Sequence, residues 1–288
     1  MKQRVAITGA GGFLGSALAR RLTAEGAEVS ALTRRPVELP GVSWQPYDLA
    51  DLSLPPAALE AAEVVIHAAF SMAGAGQELE KLNYDAALRL HAEARRRGAH
   101  FIFISSMSAH GQAASSYGRA KWRIEGSLDE NSDTIVRPGL VVGRGGLYAR
   151  MFGMVCRAPV LPLFYGGTQP IQPIALEDLT EGLVRLTQRR AAGVFNLALP
   201  QPITIRELYT RMLAAARLSR PLLPLPGDLT LGVLRVCERL GLGLPITSEN
   251  LLGLKHLRSF ETADSLARLG LTLKPVDELP WAQGAANP

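Results

Sequence analysis

The sequence predicts an α/β fold in which helices cover both faces of a doubly wound parallel sheet. It contains continuous apolar runs, among them "RVAIT" (4–8), "VVIHAAF" (64–70) and "FIFISS" (101–106), which are typical of parallel strands buried on both faces. Segments with helical periodicity alternate with these runs, as they do in βαβ units. A hydrophobic content of 47% in 288 residues is enough for a large core.

The elements follow one another in regular order through the first half of the chain. Residues 4–8 form the first predicted strand, a glycine turn follows, and Leu14, Leu18 and Leu22 lie on one face of the first predicted helix. A later helix is expected to end at Gly98, because glycine is common just after the last helical turn. The remaining predictions are strands at 28–33, 42–49, 64–70, 101–106 and 134–139, and helices at about 81–97 and 117–125.

The pattern changes after about residue 145, where prolines become frequent. The strand-like segment "GVFNLAL" (193–199) is expected to rejoin the sheet. We therefore expect a sheet domain and a smaller, α-rich C-terminal lobe, with bounds at 1–148 (rejoined by about 174–200) and at 149–173 and 201–288. The helices predicted in this half are at about 177–190, 204–217, 228–241 and 262–269.

The net charge of +5 does not by itself predict a nucleic-acid partner. Arginines occur in short runs such as 95–97 and 189–190, each near the end of a predicted helix, where cations favour the negative end of the helix dipole. No aromatic residues alternate with these arginines, as a platform for stacked bases would require. The charge therefore predicts a solvated surface and leaves an anionic small-molecule ligand open.

Other classes of protein are not predicted either. No apolar run of about 18 residues is free of charge, so no membrane-spanning helix is expected. The segment "MKQRVAITG" lacks the apolar core of a signal peptide, and Cys156 and Cys237 lie far apart among apolar residues, so we expect reduced thiols and a cytoplasmic location. No metal site is expected, because the spacing of four histidines is unlike that of metal ligands: His67, His91, His100 and His256.

A glycine-rich turn opens the first helix. In "TGAGGFLGSAL", Gly9, Gly12 and Gly15 follow a predicted strand and precede a predicted helix. Glycines at this place permit a tight turn and a close approach of the backbone, and the helix N-terminus offers N–H donors to a pyrophosphate. The motif in this context predicts a dinucleotide-binding Rossmann domain.

The end of the second predicted strand indicates which dinucleotide is bound. A carboxylate at this place would accept hydrogen bonds from the ribose hydroxyls of NAD. The chain instead has Arg34 and Arg35 directly after Thr33. A guanidinium suits a 2′-phosphate by charge and by the geometry of its donors. We therefore expect NADP, with NAD as the less favoured cofactor.

A serine, a tyrosine and a lysine occur in an order that suits hydride transfer at an alcohol or ketone. Ser105 and Ser106 end a predicted strand, and Tyr117 and Lys121 follow on the next predicted helix, four residues apart and therefore on one face. A phenol has an ordinary pKa of about 10, and a nearby ammonium lowers it. The phenol is then able to exchange a proton with a substrate oxygen that the serine hydroxyl holds.

With these motifs in place, the chain resembles the extended branch of the short-chain dehydrogenase/reductase superfamily, the NAD-dependent epimerase/dehydratase family. The resemblance runs from about residue 4 to residue 275. It implies that Ser106 is the catalytic serine, that Tyr117 is the acid/base, and that Lys121 binds the nicotinamide ribose and tunes Tyr117. It also implies that members dimerise through the helix with the Tyr/Lys pair, so a homodimer is a further expectation.

The resemblance implies further contacts. Phe13 and Leu14 would lie over the pyrophosphate with Gly12, and Pro138 belongs to the segment beside the nicotinamide, "RPGLVVG" (137–143). Asn83 matches the family's helix asparagine near the active site, and His110 stands where many members have a tyrosine, so both are substrate contacts of lower rank. The adenine and ribose contacts implied are Asp48, Leu49, Ala68 and Ala69.

These expectations lead to a function with two alternatives. The leading hypothesis is an NADP-dependent oxidoreductase or epimerase that moves hydride at a secondary alcohol or ketone of a sugar or sugar-nucleotide. Glutamines and prolines (169–173) stand where nucleotide-sugar enzymes commonly have an arginine, so an NADPH-dependent reductase of a small or lipid-like ketone is the alternative, favoured by an apolar lobe segment, "LLPLPGDLTLGVL" (222–234). A non-catalytic NADP-binding sensor or assembly subunit is the alternative from a different class.

Overall fold

A computed structural model describes residues 2–51, 59–74, 76–242 and 246–284. The strands in this part of the chain are β1 (Arg4–Thr8), β2 (Glu28–Thr33), β3 (Val42–Pro46), β4 (Val64–His67), β5 (His100–Ile104), β6 (Thr134–Pro138), β7 (Leu140–Val142), β8 (Leu161–Phe164), β9 (Pro170–Ile171), β10 (Pro173–Ala175), β11 (Gly193–Leu197), β12 (Ile203–Thr204) and β13 (Leu222–Leu225). The helices are α1 (Phe13–Ala24), α2 (Gly76–Arg96), α3 (Ser116–Glu125), α4 (Gly146–Arg157), α5 (Leu176–Arg189), α6 (Ile205–Ala216), α7 (Gly227–Arg239), α8 (Ser248–Lys255) and α9 (Ala263–Leu269).

A seven-stranded parallel sheet forms the centre of the fold, in the order β11-β6-β5-β4-β1-β2-β3. From β1 the chain runs outward to β2 and β3, and it then returns to the other side of β1 to form β4, β5 and β6. The prediction of a doubly wound parallel sheet is confirmed. The reversal between β1 and β4 opens a crevice at the carboxyl ends of these strands, which is where ligands bind in such sheets.

The alternation of side chains along the strands fills a core on each face of the sheet. On β1, Val5 and Ile7 point into the cluster that contains α1 and α5, whereas Ala6 points into the cluster that contains α2. All three side chains are almost completely buried. Each face therefore needs its own layer of helices, as the continuous apolar strands predict.

The segment predicted to rejoin the sheet is β11, which pairs in parallel with β6 at the sheet edge, with Phe195 opposite Val136. The rest of the C-terminal half has a core of its own around Tyr148, Phe152 and Trp281. Tyr148 is fully buried, and its hydroxyl donates a hydrogen bond to the carbonyl of Trp281. Short two-stranded sheets, α4 and α8 are additions that the sequence analysis does not contain.

Candidate active site

The glycine turn between β1 and α1 brings three backbone segments into close contact. Gly9 has a φ of +70°, and a Cβ atom on it would lie 2.8 Å from the backbone nitrogen of Ala69. A Cβ atom on Gly15 would lie 2.2 Å from the carbonyl oxygen of Gly9. Gly12 is the N-cap of α1, and glycine has no side chain that could cover the first N–H groups of the helix. The turn therefore presents a bare helix N-terminus to the crevice, which suits a pyrophosphate.

Phe13 packs against a second glycine-rich turn, "GRGG" (143–146), between β7 and α4. A Cβ atom would lie 2.3 Å from the Phe13 ring if placed on Gly145, and 2.9 Å from it on Gly146. Side chains larger than hydrogen would therefore displace the ring. Phe13 is predicted to lie over the pyrophosphate, but its contact with this turn is not predicted. The three glycines of the turn are the signal in the sequence that could have indicated it. Leu14 is half-buried against the core beneath the turn.

The predicted 2′-phosphate contacts lie at the carboxyl end of β2. Arg34 and Arg35 are both exposed. The backbone that carries them is fixed, because the Trp44 indole donates a hydrogen bond to the Thr33 carbonyl (3.2 Å) and the Thr33 hydroxyl donates one to the Arg35 carbonyl (2.7 Å). Gly11, in the turn before α1, faces this segment, since a Cβ atom there would lie 3.2 Å from Val37. The segment that carries Arg34 and Arg35 therefore lies beside the glycine turn.

The other predicted cofactor contacts lie after the ends of neighbouring strands. Ala68 and Ala69 follow β4, and the Ala69 N–H donates to the Thr8 hydroxyl (3.2 Å). Asp48 follows β3 and accepts a hydrogen bond from the backbone of Ala50 (3.0 Å). Leu49 packs against the core on the α2 face, and the buried Pro138 ends β6. All of these residues stand at the carboxyl edge of the sheet; their contacts with a cofactor stay predictions.

Tyr117 lies in the first turn of α3, beside the loop that follows β5. The Ser115 hydroxyl caps this helix by accepting a hydrogen bond from the Gly118 N–H (3.2 Å), and a Cβ atom on Gly118 would lie 2.5 Å from the Ser108 carbonyl oxygen. Burial raises the pKa of the Tyr117 phenol, and a hydrogen bond with the Ser106 hydroxyl opposes that shift. A phenol of ordinary pKa, about 10, is protonated at neutral pH with or without this shift, and the Tyr117 phenol lies next to Ser106.

Lys121 lies on the same face of α3, one turn after Tyr117, and is almost completely buried. Its ammonium group donates a hydrogen bond to the Ile104 carbonyl (2.6 Å) and lies 4.6 Å from the centre of the Phe103 ring. Burial lowers the pKa of Lys121 to about 7, and the charge of Glu125 acts against this shift. The ammonium is 6.0 Å from the centre of the Tyr117 ring. A lowering of the Tyr117 pKa by Lys121 stays a prediction.

Glu125 and Arg137 form a buried ion pair next to Lys121 that the sequence did not predict. Arg137 on β6 donates to both carboxylate oxygens of Glu125, through Nε (3.0 and 3.1 Å) and through Nη2 (2.5 Å). The Ser105 hydroxyl also donates a hydrogen bond to the same carboxylate. The network ties α3 to β6 and to the loop after β5. The signal in the sequence is Glu125 at four residues after Lys121, which places the two on one helix face.

His67 and Thr8 form a second buried polar contact, between the ends of β4 and β1. The Thr8 hydroxyl and the Nδ1 atom of His67 are 2.8 Å apart. Burial lowers the pKa of His67 to about 3, and the nearby positive charge of Lys121 lowers it further. His67 is therefore neutral at physiological pH and adds no charge beside Lys121. His67 contacts Thr8 because it is the last residue of β4, beside the end of β1. The presence of a histidine in the sequence does not by itself predict this contact.

The two predicted substrate contacts are engaged within the protein. The Asn83 amide accepts from the Ser71 N–H (2.8 Å) and donates to the carbonyls of Ser71 and Leu79 (2.9 Å each). His110 is buried, and its ring nitrogens bond to the His256 carbonyl (3.1 Å) and the Gln112 N–H (3.2 Å). These hydrogen bonds support the adjoining loops, and the role of both residues as substrate contacts stays a prediction.

Helix α8 of the C-terminal half lies against the start of α3. The Glu249 carboxylate accepts hydrogen bonds from the Ser116 N–H (2.7 Å) and from its hydroxyl (2.6 Å). Ser116 immediately precedes Tyr117, so the C-terminal half borders the candidate catalytic tyrosine. Within the described ranges, no group of at least three His, Cys, Asp and Glu side chains could hold a metal ion. No helix of that part of the chain is both long and apolar enough to cross a membrane.

The pKa of Lys121 predicts a pH dependence of stability. Its pKa is about 7 in the folded protein against an ordinary 10.5. Between these values the unfolded chain binds the extra proton, so raising the pH through this window stabilises the fold, by at most about 1.4 kcal/mol per pH unit. Urea unfolding is expected to give Lys121→Met a higher free energy of unfolding than wild type. The difference between the two is expected to be constant below pH 7 and to shrink as the pH rises above 7. A pH-independent difference would contradict the assignment.

The doubly wound sheet and its crevice define a Rossmann-type α/β protein. The chain belongs to the NAD-dependent epimerase/dehydratase family, whose model matches residues 5–198. This confirms the family resemblance, and the family consists of enzymes that use a nicotinamide cofactor. The chain is 33% identical over 251 residues to a protein named ceramide reductase from Caulobacter vibrioides (strain NA1000 / CB15N), which covers 80% of this chain and 76% of that protein.

Solved structures share the fold at low sequence identity. MoeE5 in complex with UDP-glucose and NAD is 20% identical, with a TM-score of 0.75 over 98% of this chain and 97% of that one. The human epimerase family protein SDR39U1 (isoform2) with NADPH is 19% identical, with a TM-score of 0.74 over 98% of both chains. A third structure, gox2253, has a TM-score of 0.78 at 21% identity, over 98% of this chain and 97% of that one. These likenesses support the fold alone.

Proposed function

We propose that this protein is an NADPH-dependent reductase that converts a ketone on a lipid-like molecule to a secondary alcohol. The observation that carries the proposal is the placement of the Tyr117 phenol next to the Ser106 hydroxyl and one helical turn before the buried Lys121 ammonium. A protonated phenol is the form required to give a proton to a ketone oxygen. NADPH, when bound, supplies the hydride that the carbonyl carbon receives.

Ser106, Tyr117 and Lys121 are proposed to orient the ketone and to supply its proton. The Ser106 hydroxyl donates a hydrogen bond to the ketone oxygen and so orients it toward Tyr117. The Tyr117 phenol transfers its proton to that oxygen as negative charge develops there. Lys121, fixed by the Ile104 carbonyl, places a positive charge behind the phenol and stabilises the phenolate that remains. The ketone carbon therefore receives one hydride and the ketone oxygen receives one proton, which gives the secondary alcohol.

The surroundings of Tyr117 support an apolar substrate. The Phe70 ring meets the Tyr117 ring edge to face at 4.8 Å, and the exposed Met72 lies in the same loop. Gln172, in the segment where an arginine is common in nucleotide-sugar enzymes, uses its amide to hold Phe260 by two hydrogen bonds (2.8 and 3.0 Å). The similarity to the protein named ceramide reductase supports the same substrate class.

A sugar or sugar-nucleotide is the second candidate substrate. It is favoured by Arg258, an exposed cation that lies close enough to His110 to lower the histidine pKa and could therefore meet a diphosphate. With such a substrate the protein would be an oxidoreductase or epimerase at a sugar carbon. MoeE5, a solved structure with a similar fold, is in complex with UDP-glucose, which supports a sugar-nucleotide as a candidate.

Absorbance of NADPH distinguishes the two substrates. The keto form of a ceramide in mixed micelles is expected to cause stoichiometric loss of NADPH and formation of the alcohol. UDP-glucose is expected to leave both NADPH and the sugar unchanged. With NADP+ supplied in place of NADPH, conversion of UDP-glucose to an epimer without net reduction of the cofactor, together with keto-lipid that is inert with NADPH, would overturn the proposal in favour of the second candidate.

Arg34 and Arg35 are proposed to select NADP(H) over NAD(H). The variant R34A/R35A is expected to raise the Kd for NADPH by about 100-fold or more, because two charge-assisted contacts are lost and each contributes about 1.5–3 kcal/mol. The Kd for NADH is expected to change little. Fluorescence titration of the bound nicotinamide measures both, and Arg20→Ala, an exposed arginine on α1, is the matched control. Equal weakening of both cofactors would contradict the assignment.

A non-catalytic NADP-binding protein is the alternative from a different class. Turnover that requires Tyr117 would exclude it. The cytoplasmic location and the homodimer stay predictions from the sequence, and sedimentation velocity of the purified chain tests the latter.

A further inference from the structure

Phe70, in the loop after β4, contacts both members of the Tyr/Lys pair. Its ring meets the Tyr117 ring edge to face, with the two ring centres 4.8 Å apart. The Lys121 ammonium lies over the same ring, 4.9 Å from its centre. Both distances lie in the range over which aromatic rings attract one another and attract cations. A residue outside α3 therefore bridges two side chains that lie one turn apart on that helix.

The Lys121 ammonium has few polar partners for a buried charge. Within the described part of the chain it donates one hydrogen bond, to the Ile104 carbonyl (2.6 Å). A second ring, that of Phe103 on β5, lies 4.6 Å from the ammonium. A buried charge without enough polar partners is costly, and the negative face of an aromatic ring reduces that cost. The Phe70 and Phe103 rings therefore stabilise the charged form of Lys121.

The charged and titratable groups that face Lys121 come from three elements. Glu125 on α3 attracts the ammonium, and Arg137 on β6 pairs with that glutamate. His67 on β4 is neutral at physiological pH, because burial lowers its pKa to about 3. The Tyr117 phenol on α3 is uncharged at neutral pH. The loop after β4 contributes an aromatic ring face rather than a charge.

The backbone on both sides of Phe70 is fixed by hydrogen bonds. The Ala69 N–H donates to the Thr8 hydroxyl (3.2 Å), at the end of β1. On the other side, the Ser71 N–H donates to the Asn83 side chain (2.8 Å), whose amide donates back to the Ser71 carbonyl (2.9 Å). Asn83 lies on α2, so the two anchors belong to different elements. A side chain whose neighbours are held in this way is suited to fix the geometry of the groups it contacts.

We infer that Phe70 is a positioning residue that holds the Tyr117 phenol and the Lys121 ammonium in place relative to each other. The edge-to-face contact fixes the plane of the phenol, and the ring face stabilises the charge of the ammonium. Phe70 acts through these two side chains and not by contact with substrate. The inference rests on the proposed function, in which the two side chains act together, but the contact with Lys121 can be measured without substrate.

Urea unfolding as a function of pH tests the contact with Lys121 directly. The pKa of Lys121 is about 7, and the free energy of unfolding is expected to rise with pH above that value. Phe70→Leu keeps an apolar side chain but removes the ring face, so the rise is expected to begin about one pH unit lower. Phe70→Met, which also lacks a ring, is expected to behave in the same way, and Phe70→Tyr is expected to match wild type. The profile of F70L/K121M is expected to have the shape of the Lys121→Met profile.

The pH profile of kcat with a keto-lipid tests the pair as a whole. Phe70→Leu is expected to lower kcat about 10-fold, because the phenol is less well oriented. The limb in which kcat falls as Lys121 loses its proton is expected to move to lower pH by the same interval as the unfolding profile. The matched control is Phe195→Leu, which removes a ring 4.2 Å from the Arg268 guanidinium, outside the site. It is expected to lower stability without moving either profile.

The two profiles separate this inference from the proposed function. A rise in unfolding free energy that begins at the same pH in Phe70→Leu as in wild type would overturn the inference, even if kcat falls. A shift in Phe70→Tyr as large as that in Phe70→Leu would overturn it too, because the ring is retained there. Keto-lipid that is inert with wild type would refute the proposed function alone, since the unfolding profiles still report the contact between Phe70 and Lys121.

Discussion

Tyr117→Phe is expected to lower kcat by about 10²- to 10⁴-fold, the usual contribution of a positioned general acid. The substitution removes only the hydroxyl, so the ring contact with Phe70 and the packing of α3 remain. The Kd for NADPH is expected to be unchanged, because the phenol gives its proton to the substrate oxygen. Single-turnover measurement of NADPH oxidation with a keto-lipid reports the chemical step directly.

The matched control is Tyr84→Phe, which removes a hydroxyl from α2 that bonds to Ser127 on the protein surface. Its turnover is expected to equal that of wild type. Ser106→Ala is expected to lower kcat less than Tyr117→Phe, since it removes a hydrogen bond to the substrate oxygen but leaves the proton donor. Undiminished turnover in Tyr117→Phe would refute the role of the tyrosine and support a non-catalytic binding protein.

The central sheet could be predicted because its strands are continuous apolar runs, but several of the predicted strands extend too far. The expected bounds 42–49, 64–70 and 101–106 end in the structure at Pro46, His67 and Ile104. The residues past each strand, such as Leu49, Ala68 and Ser106, line the crevice edge. They are small or apolar, and their composition therefore resembles that of the strand before them.

The C-terminal half was harder to predict, because its elements are short or begin unusually. Strands β9 and β12 have two residues each, too few for any alternation to show. Helix α4 begins at Gly146, whose φ of +64° is unlike that of a helix, and contains Gly153. Helix α8 has eight residues, and its one buried side chain is Leu251. Tertiary packing rather than local propensity decides these segments.

The candidate catalytic residues could be predicted from order and spacing, whereas their supporting network could not. Ser106, Tyr117 and Lys121 form a motif along the chain. Glu125 and Arg137 meet only because α3 and β6 lie side by side, and their residue types are common on any surface. Of the side chains around Lys121, this pair is the one whose loss should cost the fold most.

Glu125→Gln is expected to lower the free energy of unfolding by about 3–5 kcal/mol, because it leaves the Arg137 guanidinium largely buried without its countercharge. Urea unfolding at neutral pH measures the loss. The matched control is Glu80→Gln, which breaks the Glu80–Arg119 pair between α2 and α3, where the arginine is 42% exposed. That substitution is expected to cost about 1 kcal/mol or less. Equal losses would show that the Glu125 pair is no more than a surface contact.

A double variant and a pH profile distinguish the electrostatic effect of Glu125 from its effect on packing. In E125Q/R137M both charges are absent, so the double variant is expected to be more stable than the sum of the single losses predicts. The negative charge of Glu125 raises the pKa of Lys121 against burial, so Glu125→Gln is expected to move that pKa below its present value of about 7. The charged form of Lys121 is the one that stabilises the phenolate, so kcat is expected to fall as the pH rises through this pKa. In Glu125→Gln that limb of the pH profile should shift to lower pH. A merely structural glutamate would change stability and leave that limb in place.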